Sequence, residues 1–261
     1  MYQLEKPTLR SLLIPDPGHT LLDLDLSAAD AQVVAWDAND ETLKGRFRSG
    51  ADVHLENARD LWGQHIDANT RDSRGRKLRD KAKLVHAINY GCKWRTLADH
   101  MQEPAGVAKA FIAGWLGKHP PIQQWQRRVQ FDLETTRTVT NPWGFRRIYT
   151  DRIDTILPQA LAWIGQSTVA ITINTILLRI DEAEQRQGLP CFILLQDHDN
   201  LICQIPTKDL EWVLPEVMEL SKVPIPFPDP LIIPATFKLS DKSWGDVAPM
   251  EEPQAAKAAT G

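Results

Sequence analysis

Two aspartates, far apart in the sequence, have the surroundings that a cation site needs. Asp25 lies near the end of the apolar segment Leu21–Leu26, just before residues that favour a helix. Asp199 lies within Gln196–Asn200, between two apolar segments. Carboxylate oxygens are ligands that Mg²⁺ prefers. Taken singly, Asp25 also fits a helix cap and Asp199 also fits an ordinary turn, because Asp is favoured in both positions.

A basic segment carries cations and rings at helical spacing. Steps of four, three and four residues separate Arg79, Lys83, His86 and Tyr90. A continuous helix advances about 100° per residue, so these side chains would share one face. Two cations suit a triphosphate, and flat rings suit stacking on a base or a ribose. A salt-bridged surface helix would explain the cations but not the aligned rings.

The charge of the chain is unevenly distributed. The 261 residues have a net charge of -4, yet residues 44–95 hold thirteen Lys and Arg against six Asp and Glu, a local net charge of +7. Such a block is typical of a solvated basic helix or of a surface that binds nucleic acid. With 43% hydrophobic and 25% charged residues, the composition excludes a fibrous or mainly disordered protein.

The same composition gives expectations about location. No segment approaches the ~20 apolar residues of a membrane helix, and the first residues lack the apolar core of a secretory signal. Three widely spaced cysteines are too few for a disulfide framework or a four-cysteine zinc site. We therefore expect a cytoplasmic protein without a membrane partner.

The pattern of apolar residues predicts the elements that position these side chains. A strand is expected at Leu21–Leu26, with hairpins at Thr138–Tyr149 and Phe192–Ile205. Helices are expected at about 51–62, 76–94, Ala105–Trp115, Pro121–Thr136, Ala160–Arg186 and Trp212–Leu220. The last dozen residues have the composition of a disordered tail.

Three segments, in this order, resemble the motifs of family A DNA polymerases, the class of bacterial DNA polymerase I and many phage replicases. Residues 25–35, beginning Asp-Leu-Ser-Ala-Ala-Asp, resemble the first catalytic motif of that family. Residues 79–91 resemble its fingers-helix motif, and Gln196–Asn200 resembles its Val-His-Asp-Glu motif. Weaker similarities follow the expected order at residues 51–54, 144–147, 166–168 and 239–244.

The resemblance, which spans roughly residues 9–246, implies the fold. We expect an α+β protein with an antiparallel palm sheet and a helical fingers subdomain, without a thumb or an exonuclease domain. The palm is expected at residues 1–40 and 136–246, the fingers mainly at 41–135, and a disordered tail at 247–261.

The resemblance also implies the activity and its ligands. The expected enzyme is a template-directed DNA polymerase, which adds deoxynucleotides to a primer 3′-end. Asp25, Asp199 and the Leu26 carbonyl would hold two Mg²⁺ ions. Contacts with the primer–template DNA would come from Arg146, Gln166 and His198. In a phage-encoded protein, the location would be the host cytoplasm.

The resemblance assigns five residues to the incoming dNTP. Arg79 and Lys83 would grip its phosphates, and Lys83 would protonate the leaving group. His86 and Tyr90 would lie beside the nucleotide. Asp30 would take the place of a glutamate that excludes the ribose 2′-hydroxyl. Because Asp30 is one methylene shorter than glutamate, sugar discrimination is expected to be looser.

Two registers of the fingers motif leave some of these roles open. If Arg79 and Lys83 take the cation positions, His86 falls near the aromatic position. If the segment Ala-Ile-Asn-Tyr90-Gly is matched to the family's Ala-Ile-Asn-Phe-Gly, His86 takes the lysine position and Tyr90 the aromatic one. Trp94 then takes the position of the final tyrosine.

Two further departures concern charge and length. Asn200 stands where the family has a carboxylate, which is expected to weaken metal binding only modestly. The family's thumb would precede residue 9, so an N-terminal polymerase subunit carrying the thumb, and any exonuclease, is expected as a partner. A split gene is favoured over an excised part of a larger polymerase. The alternatives are an inert polymerase-derived scaffold that binds nucleic acid, and a two-metal nuclease or phosphohydrolase.

Overall fold

The protein structure is a computed structural model that describes residues 9–249. Its strands are β1 (His19–Leu26), β2 (Thr138–Thr140), β3 (Arg146–Ile148), β4 (Phe192–Asp197), β5 (Asn200–Pro206), β6 (Pro224–Ile225), β7 (Leu231–Ile232), β8 (Ala235–Ser240) and β9 (Ala248–Pro249). The tail predicted at 247–261 lies outside the described residues from residue 250 onward.

Helices lie between these strands in the sequence. They are α1 (Ala29–Asp37), α2 (Glu41–Arg48), α3 (Val53–Trp62), α4 (Leu78–Lys81), α5 (Val85–Asn89), α6 (Trp94–Met101), α7 (Ala105–Lys118), α8 (Pro120–Thr135), α9 (Ile153–Gln187) and α10 (Leu210–Leu220). Short 3₁₀ turns occur at Ala82–Leu84, Thr207–Asp209 and Trp244–Asp246.

A five-stranded antiparallel sheet confirms the predicted fold class. The strand order is β4-β5-β1-β8-β9, so β1 has a neighbour on each side. Leu21, Leu22 and Leu24 of β1 are fully buried, as expected for an inner strand. Because side chains alternate between faces, Asp23 and Asp25 lie on the same face of this strand.

Contacts divide the chain into two compact units. The sheet unit contains residues 9–29, 169–225 and 230–249, and the helical unit contains residues 30–168 and 226–229. The palm and fingers boundaries predicted at residues 40, 135 and 246 stay a prediction.

Helix α9 is longer and more apolar than the sequence predicts. Over Thr155–Gln187 it is long and apolar enough to cross a membrane by length and composition alone, with a mean hydropathy of 1.4. Its buried residues include Ile173, Ile176 and Ile180, which recur at helical spacing. This pattern is also that of a core helix, so the apolarity is weak support for a membrane segment.

A buried ion cluster joins four helices of the helical unit. His119 lies between α7 and α8, and its side chain is 1% exposed. Its Nδ1 lies 2.8 Å from Asp40, which precedes α2, and its Nε2 lies 3.5 Å from Asp60 of α3. Arg46 pairs with Asp60. Burial opposes protonation of His119, but the hydrogen bond to Asp40 and the nearby carboxylate of Asp60 raise its pKa above the ordinary 6.5.

The His119 cluster gives a pH-dependent contribution to stability. Since the folded pKa of His119 is raised, its contribution is complete below pH 6.5 and is lost as pH rises through the folded pKa. We expect His119→Gln to lower the free energy of unfolding at pH 6 by about 2 kcal/mol. The difference from the parent should shrink toward pH 9. Urea unfolding of both proteins across this range measures it, and a pH-independent difference would contradict the assignment.

Candidate active site

The pairing of β1 with β5 brings the two predicted metal-binding aspartates together. Asp25 faces Asn200 in the antiparallel register, and the Leu26 amide donates to the Asp199 carbonyl oxygen at 3.1 Å. His198 and Asp199 form the two-residue turn between β4 and β5. His198 has a φ of 57°, which suits such a hairpin turn. The tip of the hairpin is therefore fixed against the end of β1.

Electrostatics at this pair favour a cation. Burial raises the pKa of Asp25, and the charge of Asp199 raises it further, with a smaller effect of Asp23. Lys238 Nζ, 4.0 Å from Asp25 Oδ2, acts in the opposite direction, as does Arg10. A divalent ion bound next to Asp25 would offset the repulsion that raises its pKa.

The oxygen donors fit a Mg²⁺ site that substrate completes. Within residues 9–249, no group of three or more His, Cys, Asp and Glu side chains is arranged to hold a metal. Mg²⁺ is commonly bound by one or two carboxylates together with substrate phosphates. Next to Asp25, Asn200 Oδ1 is buried without a hydrogen-bond partner in the described structure, and it is a further oxygen donor. The predicted role of the Leu26 carbonyl stays a prediction.

The continuous helix predicted at residues 76–94 is wrong. Helix α4 ends at Lys81, a 3₁₀ turn covers Ala82–Leu84, and α5 ends at Asn89. Gly91, with a φ of 73°, takes the left-handed conformation that ends a helix, and α6 begins at Trp94. A 3₁₀ turn advances about 120° per residue instead of about 100°, so its three residues turn His86 and Tyr90 about 60° further around the axis than a continuous α-helix would.

Carboxylates hold both predicted phosphate-binding cations of the fingers motif. Arg79 Nε donates to Asp52 Oδ2 at 2.5 Å, and this hydrogen bond raises the pKa of Arg79. Asp52 also caps α3 by accepting from the Leu55 amide at 3.1 Å. Lys83 Nζ lies 3.1 Å from Asp80, and its side chain is half exposed. Both cations are accessible to an anion that can compete with these carboxylates.

His86 is a neutral ring in this structure. Burial and, to a smaller extent, the neighbouring His54 lower its pKa to about 4. The His54 and His86 ring centroids are 6.0 Å apart, with the rings edge to face. His86 therefore lacks the charge that the lysine position of the second register would need at pH 7.

Tyr90 is held against Asp30, the predicted sugar-selecting residue. Burial raises the pKa of Tyr90, and the charge of the nearby Asp30 adds to the shift. Gly165 of α9 leaves room for the pair, because a Cβ at this position would lie 2.9 Å from Tyr90 Oη and 3.5 Å from Asp30 Oδ1. Gly165 has no recognisable signal in the sequence, since a single glycine within a long apolar helix has many explanations.

The predicted DNA-binding residues are solvent-exposed polar side chains. In the helical unit, Arg146 lies on β3 and Gln166 lies on α9. Asn141 Nδ2 donates to Ser167 Oγ at 2.9 Å, which ties the β2–β3 hairpin to α9 beside Gln166. In the sheet unit, the His198 side chain is 91% exposed. Exposed polar groups suit contacts to phosphates and base edges.

Comparison with known proteins assigns the chain to a family. The sequence profile of DNA polymerase family A matches residues 2–234, so the chain belongs to this family. A DNA polymerase of Mycobacterium phage D29 is 28% identical over 244 residues, covering 92% of this chain and 37% of the relative. The thermostable DNA polymerase I of Thermus filiformis is 27% identical, covering 81% of this chain and 26% of the relative. The chain thus spans well under half the length of both relatives.

A solved structure shows the same fold. The POL domain of Pol1 from M. smegmatis, in complex with DNA primer-template and dNTP, matches with a TM-score of 0.79 and 20% identity. The match covers 94% of this chain and 44% of that chain. At this identity, the likeness supports the fold.

The close contact at Gly165 predicts a specific rescue. Gly165→Ala should destabilise the chain by about 1–3 kcal/mol, because its methyl group would overlap the Tyr90 hydroxyl. Gly165→Ala combined with Tyr90→Phe should recover most of that loss. Gly114→Ala is the matched control, since open space surrounds Gly114 in α7, and a gain of about 0.5–1 kcal/mol is expected. Urea unfolding measures all four proteins, and equal losses with and without Tyr90→Phe would contradict the contact.

Proposed function

We propose that this chain is the catalytic palm-and-fingers portion of a template-directed DNA polymerase. One observation carries the proposal: the β1–β5 pairing holds Asp25 and Asp199 side by side in a chain that belongs to DNA polymerase family A. The expected reaction joins the primer 3′-oxygen to the α-phosphorus of a dNTP and breaks its bond to pyrophosphate.

Asp25 and Asp199 would hold the two Mg²⁺ ions that the family resemblance implies. When bound, these ions would lower the pKa of the primer 3′-hydroxyl and neutralise the charge on the triphosphate. The chain's own contribution is a pair of carboxylates fixed by backbone pairing, with a raised pKa at Asp25 that favours a cation.

The fingers motif would bind the triphosphate by exchanging carboxylates for phosphates. Arg79 would leave Asp52 and Lys83 would leave Asp80 when the more highly charged triphosphate arrives. Lys83 is proposed to donate a proton to the departing pyrophosphate oxygen. His86 and Tyr90 would form the nonpolar side of the nucleotide site, and Arg146, Gln166 and His198 would contact the primer–template.

We also propose that a second polypeptide supplies a thumb. Affinity for a duplex depends on many phosphate contacts. The chain covers 37% of the phage D29 polymerase, which leaves room in such relatives for further DNA-binding parts. A chain that co-purifies and stimulates primer extension would be this partner.

Removing either aspartate should abolish synthesis. Asp25→Asn and Asp199→Asn each keep the side-chain size but remove a charge, and primer extension with Mg²⁺ and dNTPs should fall by at least about 100-fold. Asp181 lies on α9 and accepts a hydrogen bond from Gln185. Asp181→Asn is therefore the matched control and should keep parental activity. Extension is measured with the chain alone and with any co-purifying chain.

Two outcomes would contradict the proposed function. Extension that survives either aspartate substitution would refute the metal assignment. Mg²⁺-independent DNA binding without extension, alone or with a partner, would favour an inert nucleic-acid-binding protein instead.

Asp30 should control the choice of sugar. Asp30→Ala should lower the ratio of kcat/KM for dNTP over rNTP by about tenfold, or about 1.4 kcal/mol, because the carboxylate no longer opposes the 2′-hydroxyl. Asp30→Glu should raise this ratio. Tyr90→Phe serves as the control for the loss of polar groups beside Gly165, where Tyr90 Oη and Asp30 Oδ1 lie close together. Equal selectivity in Asp30→Ala and the parent would contradict the role.

A further inference from the structure

A third aspartate lies beside the carboxylate pair and has no role in the function proposed above. Asp23 is on the same face of β1 as Asp25 and is 1% exposed. Its Oδ1 accepts a hydrogen bond from Asn200 Nδ2 at 2.6 Å. Its Oδ2 accepts a hydrogen bond from Trp244 Nε1 at 2.8 Å. Both oxygens of this buried carboxylate are therefore bound by neutral donors.

The contact with Asp23 fixes the orientation of the Asn200 amide. An amide has one donor end and one acceptor end, and only the donor end can face a carboxylate. Asn200 Oδ1 is thus the free end, and it is buried without a partner in the described structure. Asn200 is the register partner of Asp25, so their Cβ atoms are about 4.5–5.5 Å apart. An amide oxygen is a suitable ligand for a hard cation or acceptor for its water.

The charge of Asp23 has no ion-pair partner in the described part of the chain. Lys238 stands opposite Asp23 in the β1–β8 register, but its Nζ lies near Asp25. Arg10 stacks on the ring of Trp244, 4.2 Å from the ring centroid. Trp244 is the residue whose Nε1 donates to Asp23. A buried carboxylate held by neutral donors alone is costly, and a nearby bound cation would offset that cost.

We propose that Asp23 is a positioning residue of the metal site. Asp23, two residues before Asp25 on β1, supplies a negative charge that the neutral Asn200 does not. By accepting from Asn200 Nδ2, it also orients Asn200 Oδ1 so that this oxygen can bind a cation at Asp25 and Asp199. The inference rests on the proposed metal-dependent function. Asp23 would act on the metal site through Asn200, because both of its own carboxylate oxygens already accept hydrogen bonds.

The test exchanges the two side chains and measures Mn²⁺ affinity of the full chain by electron paramagnetic resonance. Asp23→Asn should weaken Mn²⁺ binding about tenfold, as loss of an outer-shell partner does. Asn200→Asp places two carboxylates in contact and should destabilise the fold. The double variant Asp23→Asn/Asn200→Asp again pairs one amide with one carboxylate, so its Mn²⁺ affinity should return to the parental value.

Trp244→Phe and Asp25→Asn are the controls. Trp244→Phe removes the other donor to Asp23 without changing charge, so it should lower stability and leave Mn²⁺ affinity unchanged. Asp25→Asn should weaken Mn²⁺ binding strongly. If it does not, the proposed metal site fails, whatever Asp23 does.

The outcomes separate the two ideas. If Asp25→Asn weakens Mn²⁺ binding while Asp23→Asn binds as the parent does, Asp23 is only a structural acceptor and the inference is overturned. If Asp23→Asn does not fold, the double variant decides: parental Mn²⁺ affinity supports the inference, and a tenfold loss overturns it.

Discussion

The antiparallel register between β1 and β5 is the constraint on which the candidate site depends. It sets Asp25 opposite Asn200 and ties the Leu26 amide to the Asp199 carbonyl, so residues far apart in the chain share one end of the sheet. A slip of one residue would move Asp23 and Asp25 to the opposite face and bury apolar side chains in their place. The fully buried leucines of β1 therefore specify the site as well as the fold.

The two units handle charge in different ways. In the sheet unit, burial and neighbouring negative charges raise the pKa of Asp25, and a bound cation would stabilise its charged form. In the helical unit, exposed cations are held by exchangeable carboxylates, as in the Arg79–Asp52 pair. The cluster of His119 with Asp40 is buried instead, and it serves stability. Accessible ion pairs near the surface can exchange partners, whereas buried ones fix the helices around them.

The sequence pattern predicted the elements that depend on neighbouring residues alone. The strand that carries Asp25 and the hairpin that carries Asp199 follow from alternation and turn residues, and both are present. The prediction of one helix at residues 76–94 was wrong for two reasons. The helical spacing was given more weight than Gly91, whose positive φ ends α5, and a 3₁₀ turn has no clear sequence signal.

Contacts between distant segments could not be predicted in this way. Asp23 looked like one more acidic residue in Leu-Asp-Leu-Asp-Leu until the register placed it beside Asn200. Lys238 lies on β8, and only the strand order of the sheet places β8 next to β1, which carries Asp25. The role of Gly165 depends on a tyrosine and an aspartate from two other helical segments.

Hydrogen–deuterium exchange of the full chain with and without Mg²⁺ tests most directly whether the β1–β5 pairing forms a cation site. We expect Mg²⁺ to slow exchange in peptides that cover residues 19–27 and 192–206, since a bound ion would stabilise the Leu26–Asp199 hydrogen bond. This protection should be lost in Asp199→Asn. If exchange in these two segments is the same with and without Mg²⁺, the β1–β5 pairing does not form a cation site.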